Sequence, residues 1–221
     1  MAKPKSKSDE KRPALLLHSG GLDSTILGVY LNKKGINFQS LFIDYGQTSE
    51  VGELDAVTRT AAMLQSNLDV IRSPEIFSAF TSSSLAFSQS VGNPGRHVLE
   101  LGSVLLLAPA IAYAHRLGLS TVYVGYTKLD ADYSKEYTQK FLSAFASLSS
   151  IAGYPAIAIK APFVKKTKGQ VVKIAAKQKE LLSATWTCHL GLSRQCGVCE
   201  SCLGRKEAFR SAKVKDPTTY E

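Results

Sequence analysis

From Ala14 to His18 the chain is almost wholly apolar, and from Leu22 to Asn32 apolar residues recur at helical spacing. The Ser-Gly-Gly between them reads as a tight turn, so the chain is expected to open strand, glycine turn, helix. The pattern then repeats. Phe38 to Ile43 predicts a second strand, Glu50 to Leu64 a second helix and Leu68 to Ile71 a third strand. Further on come a helix ending near Leu117, a strand from Thr121 to Val124, a helix around Glu136 to Leu148 and a strand from Ala156 to Ile159. The last large helix is expected from about Lys168 to Leu181. Strands alternating with helices predict an α/β fold, a single open parallel sheet with helices on both faces.

One stretch breaks the rhythm. Phe80 to Arg96 is rich in serine, contains Gly-Asn-Pro-Gly and shows no packing period, so it reads as a long loop of the kind that covers functional sites. Composition adds little beyond this. The chain has 221 residues, 44% of them hydrophobic and 20% charged, enough for one α/β domain with a small appendage. Of the net charge of +9, the first thirteen residues supply +3, from five Lys or Arg against Asp9 and Glu10. Residues 1–13 therefore read as a disordered basic arm lacking the apolar core of a signal peptide. The longest apolar run, Leu101 to Ala114, contains Pro109 and is shorter than the roughly 20 residues a bilayer crossing needs. A cytoplasmic protein is expected, with no membrane partner.

Chemistry enters at the glycine turn, Ser19-Gly20-Gly21-Leu22-Asp23-Ser24-Thr25. An open parallel sheet binds its ligand at the carboxyl ends of its strands, and a helix start offers free N–H groups and the positive end of its dipole. Gly20 and Gly21 let the backbone approach a phosphate, and Ser19, Ser24 and Thr25 add hydroxyls. The bland alternative is a turn in which Asp23 or Ser24 merely caps the helix. The spacing matches neither the Walker nor the dinucleotide glycine pattern.

All four cysteines lie together: Cys188, then Cys196, Cys199 and Cys202 at C-x2-C-x2-C spacing. Four thiolates suit one tetrahedral ion, and structural zinc is the first reading. An iron–sulfur cluster is the rival, although the usual fourth Cys-Pro after Cys202 is missing. Disulfides are disfavoured in a reducing compartment.

Ser-Gly-Gly-x-Asp-Ser after the first strand resembles the PP-loop of the N-type ATP pyrophosphatases. Together with Phe42-Ile43-Asp44-Tyr45-Gly46-Gln47, Pro94-Gly95-Arg96, Thr167-Lys168, Thr185-Trp186-Thr187-Cys188 and the cysteine cluster, it resembles the 7-cyano-7-deazaguanine synthase family from about Ala14 to Ala212. The resemblance implies an adenine nucleotide α-hydrolase-like domain over 14–186 and a zinc-binding segment over 187–221. It implies ATP contacts by His18, Ser19, Gly20, Gly21, Leu22, Asp23, Ser24, Thr25, Asp44 and Gln47, with Asp23 helping to hold Mg²⁺. Lys168 would serve the phosphates and Arg96 either phosphate or substrate carboxylate. A solvated role for Lys168, beside Lys165, Lys166 and Lys173, is the alternative.

The implied activity is ATP-dependent adenylation of a 7-carboxy-7-deazaguanine-type carboxylate, with ammonia giving amide and then nitrile, and AMP and pyrophosphate released. A homodimer is implied as well. The family's Gly-Tyr-Pro-Asp-Cys-Arg segment is replaced here by Gly125 to Thr138, and His97 stands where Asn is usual. Base recognition would then fall to Arg96, His97, Asp130, Asp132 or Glu136, the acids being otherwise a solvated loop and helix start. That departure keeps open an amide ligase acting on a protein amine, as in antiphage defence. A tRNA-modifying PP-loop enzyme is a further alternative, although no separate RNA-binding module is visible and direct nucleic-acid binding is not expected.

Overall fold

In a computed structural model of the chain, which describes residues 13–74 and 102–221, five parallel strands form one sheet in the order β3-β2-β1-β4-β5. The strands are β1 (Ala14–Leu17), β2 (Phe38–Asp44), β3 (Leu68–Arg72), β4 (Thr121–Tyr123) and β5 (Ala158–Lys160). Numbered in chain order over the described residues, the helices are α1 (Leu22–Lys33), α2 (Glu50–Met63), α3 (Gly102–Arg116), α4 (Lys128–Tyr133), α5 (Gln139–Ile151), α6 (Lys168–Ile174), α7 (Lys179–Ser183) and α8 (Glu200–Ala212). The basic arm and the serine-rich loop, with Arg96 and His97, lie outside the described residues.

Period-2 alternation along the strands divides the core in two. Ala14 and Leu16 face a cluster completed by Ile26 and Leu27 of α1, Val171 and Val172 of α6, Leu182 of α7 and Phe209 of α8. Leu15, Leu41 and Val122 face the other cluster, closed by Leu107 and Ala110 of α3 and Leu142 and Ala146 of α5. Both faces of the sheet are therefore covered, which explains why its strands read as near-continuous apolar runs. Strand order reverses between β1 and β4, with β2 and β3 built outward on one side and β5 on the other. In open sheets of this order the ligand crevice lies at that switch point, above the carboxyl end of the strands, and the glycine turn follows β1 there.

Three expectations need correction. The helix expected from Lys168 to Leu181 is two helices, because Ala175 is buried in the core and Gln178 leaves helical geometry with φ −100° and ψ 62°. The chain turns there so that Leu181 and Leu182 can also reach the core. Glu200–Ala212 is a helix not expected from the sequence, because its many polar residues hide the apolar spacing. The helix expected around Glu136 begins at Gln139, after a 3-10 turn at Lys135–Tyr137, because Thr138 supplies its N-cap by accepting from the Phe141 N–H.

Candidate active site and metal centre

Gly20 makes the turn after β1 possible. Its φ is +72°, and a Cβ there would lie 2.6 Å from both the Glu53 carbonyl and the Val57 nitrogen of α2. Only glycine meets both demands. The turn is knitted by Ser24, whose hydroxyl accepts from the Ser19 N–H at 3.2 Å and lies 3.0 Å from the Ser19 hydroxyl. Ser19 is exposed, while Leu22, Ser24 and Thr25 are buried, and the Thr25 N–H donates to the Gly21 carbonyl at 3.1 Å. His18 lies wholly inside. Its Nδ1 is 3.1 Å from Ser40 Oγ, and its Nε2 is 3.1 Å from Thr25 Oγ1 and 3.2 Å from Thr60 Oγ1. Burial brings its pKa down to about 3, so this imidazole is neutral and fixes the turn to the core.

Asp23 stands on the first turn of α1, and the Lys168 ammonium at the start of α6 lies 3.1 Å from its Oδ2. The second carboxylate oxygen, Oδ1, is buried without a hydrogen-bond partner. Burial pushes the Asp23 carboxyl up, Lys168 opposes this, and the nearby Asp130 carboxylate adds to the rise. Two residues far apart in sequence thus meet beside the glycine turn. The arrangement supplies an anion cradle, a cation for phosphate and an oxygen suited to a hard divalent cation such as Mg²⁺.

The loop after β2 is folded on itself. Asp44 Oδ1 accepts from the Gly46 N–H at 2.9 Å, and Gln47 Oε1 accepts from the Tyr45 N–H at 3.0 Å. The Gln47 amide donates to Glu53 at 2.9 Å, as does the Ser49 hydroxyl at 2.8 Å. Burial pushes the Glu53 carboxyl up while these two donors oppose it. Both Asp44 and Gln47 are buried, so their side chains hold the loop that borders the crevice.

The acidic segment after β4 divides by role. Asp130 Oδ2 accepts from the Thr127 N–H and hydroxyl, at 2.8 and 2.7 Å, and so completes a capping box on α4. Asp132 is exposed and paired with Lys128 at 2.5 Å, an ordinary solvated helix pair. Glu136 is buried, and its Oε2 accepts from the Ser103 N–H at the start of α3, 3.0 Å away. Of the three, Asp130 is the one whose charge reaches Asp23.

Cys188, Cys196, Cys199 and Cys202 present four sulfurs, all within 4.8 Å of one another. A tetrahedral zinc with bonds of about 2.3 Å needs sulfurs roughly 3.8 Å apart, so the set fits such an ion with no position left open. Burial raises the Cys196 thiol, but N–H donors from Val198 and Cys199 outweigh it and bring its pKa down to about 7. His189 stands outside the set, 3.0 Å from the Ser201 hydroxyl.

The sequence model of the queuosine biosynthesis protein QueC matches residues 13–213. The chain belongs to that family. Among its relatives are the 7-cyano-7-deazaguanine synthases of Methanothrix thermoacetophila, 31% identical with 94% of this chain and 98% of that protein covered, and Anaeromyxobacter sp., 32% identical with 95% and 98% covered. Among solved structures, a 4-thiouridine synthetase in complex with RNA and bound ATP superimposes with a TM-score of 0.52 at 16% identity, over 91% of this chain and 50% of that one. A predicted subunit of a tRNA methyltransferase from Methanocaldococcus jannaschii gives 0.50 at 16% identity, over 75% and 74%. These two likenesses concern the fold.

Three further side chains near the turn and its supports had no sequence signal. Glu53 is one acid among several on an amphipathic helix. Tyr126, whose hydroxyl is buried without a partner, packs edge-on against Tyr137 at 4.8 Å. Arg205 is fully buried on α8 although its position reads as a polar helix face. Only the fold brings these to the crevice and its supports.

Proposed function

We propose that the protein adenylates a 7-carboxy-7-deazaguanine-type carboxylate and converts it, with ammonia, to the nitrile. The Asp23–Lys168 pair at the glycine turn carries this reading, within a chain matched along nearly its whole length to 7-cyano-7-deazaguanine synthases. A carboxylate oxygen attacks the α-phosphorus of ATP and pyrophosphate leaves. Ammonia then adds to the acyl carbon and AMP leaves with one proton lost, giving the amide. The amide oxygen attacks the α-phosphorus of a second ATP, pyrophosphate and one amide proton leave, and loss of AMP and the second proton from the resulting imidate gives the nitrile.

The chain's own residues position and neutralise charge. N–H groups at the start of α1 would hold the pyrophosphate, and Lys168 would exchange Asp23 for a phosphate oxygen. Mg²⁺, held through Asp23 Oδ1, would supply positive charge at the departing pyrophosphate. Arg96, His97 and Asp130 are proposed to meet the base and its carboxylate. Zinc is proposed for the four cysteines, as a structural ion. The division into a nucleotide domain (14–186) and a metal segment (187–221) belongs to the same reading, as does a cytoplasmic location. So does a homodimer, supported by Leu148, Ile151 and Tyr154, exposed together at the end of α5.

The test is incubation with ATP, Mg²⁺, the carboxylate and ammonium. The expected products are the nitrile by mass spectrometry and two AMP and two pyrophosphate per turnover. ADP and orthophosphate would overturn the reading, and a product on a protein amine without ammonium would move it to amide ligation. Asp23→Asn should lower the rate roughly a hundred- to a thousandfold. Its thermal midpoint should hold or rise, because a carboxylate pushed up by burial is removed.

A further inference from the structure

A short segment, Thr185 to Thr187, runs from the glycine turn to the four-cysteine clip. The Trp186 N–H donates to the Gly20 carbonyl at 3.0 Å. Across a planar trans peptide the Gly21 N–H points opposite to the Gly20 carbonyl, so this bond aims the Gly21 N–H away from Trp186. On the other side, the Trp186 indole N–H donates at 2.7 Å to the backbone carbonyl of Cys188, itself one of the four clip cysteines. The indole ring lies flat against α2 at Gly52, where a Cβ would come within 2.4 Å of it. Trp186 thus joins clip, turn and α2.

Arg205 holds that segment in place. Its Nη1 donates to the Thr185 hydroxyl at 2.6 Å and the Thr187 hydroxyl at 3.2 Å, and its Nη2 donates to the Leu182 carbonyl at 2.8 Å. Asp216 neutralises it from 3.2 Å, and the Phe209 ring lies under the guanidinium at 5.1 Å. A fully buried arginine with this many fixed donors is a rigid clamp. It grips the residues on either side of Trp186. It also rises from the same helix as Cys202, so the clip and the clamp share one element.

We propose that Arg205 is a positioning residue that couples the cysteine clip to the phosphate-binding turn through Thr185, Trp186 and Thr187. The coupling rests on the nucleotide reading above. Its consequence is that metal in the clip and ATP in the turn strengthen each other's binding by the same factor, since coupling between two sites is reciprocal. The field of Arg205 reaches Asp23 as well, which places the clamp within electrostatic range of the turn.

Trp186 is the chain's one tryptophan, so its fluorescence reports this joint directly. ATP with Mg²⁺, without carboxylate substrate, is expected to shift Trp186 emission in the zinc-loaded protein. The same ATP should tighten zinc about tenfold in competition with a chelator. Thr185→Val removes the shortest of the Arg205 hydrogen bonds and should abolish that tightening and weaken ATP about tenfold, as should Arg205→Lys. Thr185→Ser keeps the hydroxyl and should restore both. If Arg205→Lys misfolds, the Thr185 pair still decides. Should the parent bind ATP while Thr185→Val shows the same ATP affinity and the same effect on zinc, the positioning role is wrong and the nucleotide reading stands. Failure of the parent to bind ATP at all would overturn both.

Discussion

A histidine at the end of β1 invites a catalytic assignment, yet His18 is sealed from solvent and hydrogen-bonded to Ser40, Thr25 and Thr60. Between its folded pKa of about 3 and an unfolded value near 6.5, the unfolded chain binds a proton that the folded one refuses. Stability therefore rises with pH through that window and is lost as pH falls. From pH 7 to pH 5 the parent should lose about 2 kcal/mol more than His18→Gln, read from urea unfolding. Equal losses would show that His18 is not held neutral in the folded protein. Asp23 is the opposite case. Burial shifts its carboxyl upward, but beside a cation and with one oxygen unsatisfied, a pattern common among groups that meet a ligand.

Helix ends decide much of what surrounds the crevice. The start of α3 has its Ser103 N–H satisfied by Glu136, a side chain thirty-three residues further along, and α4 is closed by its own Thr127–Asp130 box. Within the segment from Gly125 to Thr138, Thr127, Asp130, Ser134, Glu136 and Thr138 are thus tied into helix termini. Glu136→Ala should cost about 1 to 2 kcal/mol of stability, the loss of a buried cap, with little change in the KM for ATP or substrate. A large rise in the substrate KM at unchanged stability would instead make Glu136 a reader of the base. α6 begins with a capping box, Thr167 with Gln170, and this fixes Lys168 at the first helical position, aimed at Asp23.

At the scale of the molecule, residues beyond Thr187 serve as a brace rather than a separate body. α8 sends Ala208, Phe209 and Ala212 into the core beneath the sheet, and the chain end returns to the clip, where the Glu221 N–H donates to the Gln195 carbonyl. The purified protein should hold about one zinc per chain and be colourless. Cys202→Ser should lose the metal and about 3 kcal/mol, lowering the thermal midpoint by roughly 6 to 12 °C. A brown protein with visible absorption would replace zinc by iron and sulfur.

The sequence by itself determined the strand and helix alternation, the parallel sheet, the glycine turn and the four cysteines. These are written locally: period-2 and helical spacings, a Ser-Gly-Gly after an apolar run, and ligands a few residues apart. The resemblance to a known family singled out Asp23 and Lys168, but nothing along the chain brings them together. Their meeting at 3.1 Å depends on α1 packing beside α6, a contact between segments 145 positions apart. Burial was decided by the tertiary structure too. It made His18 neutral and turned Glu136 into a cap. It took Arg205 from a polar helix face into the interior, where Thr185, Thr187, the Leu182 carbonyl and Asp216 compensate its lost hydration. Whether a polar side chain meets water or a partner is set by what the fold places around it, and no spacing along the chain encodes that.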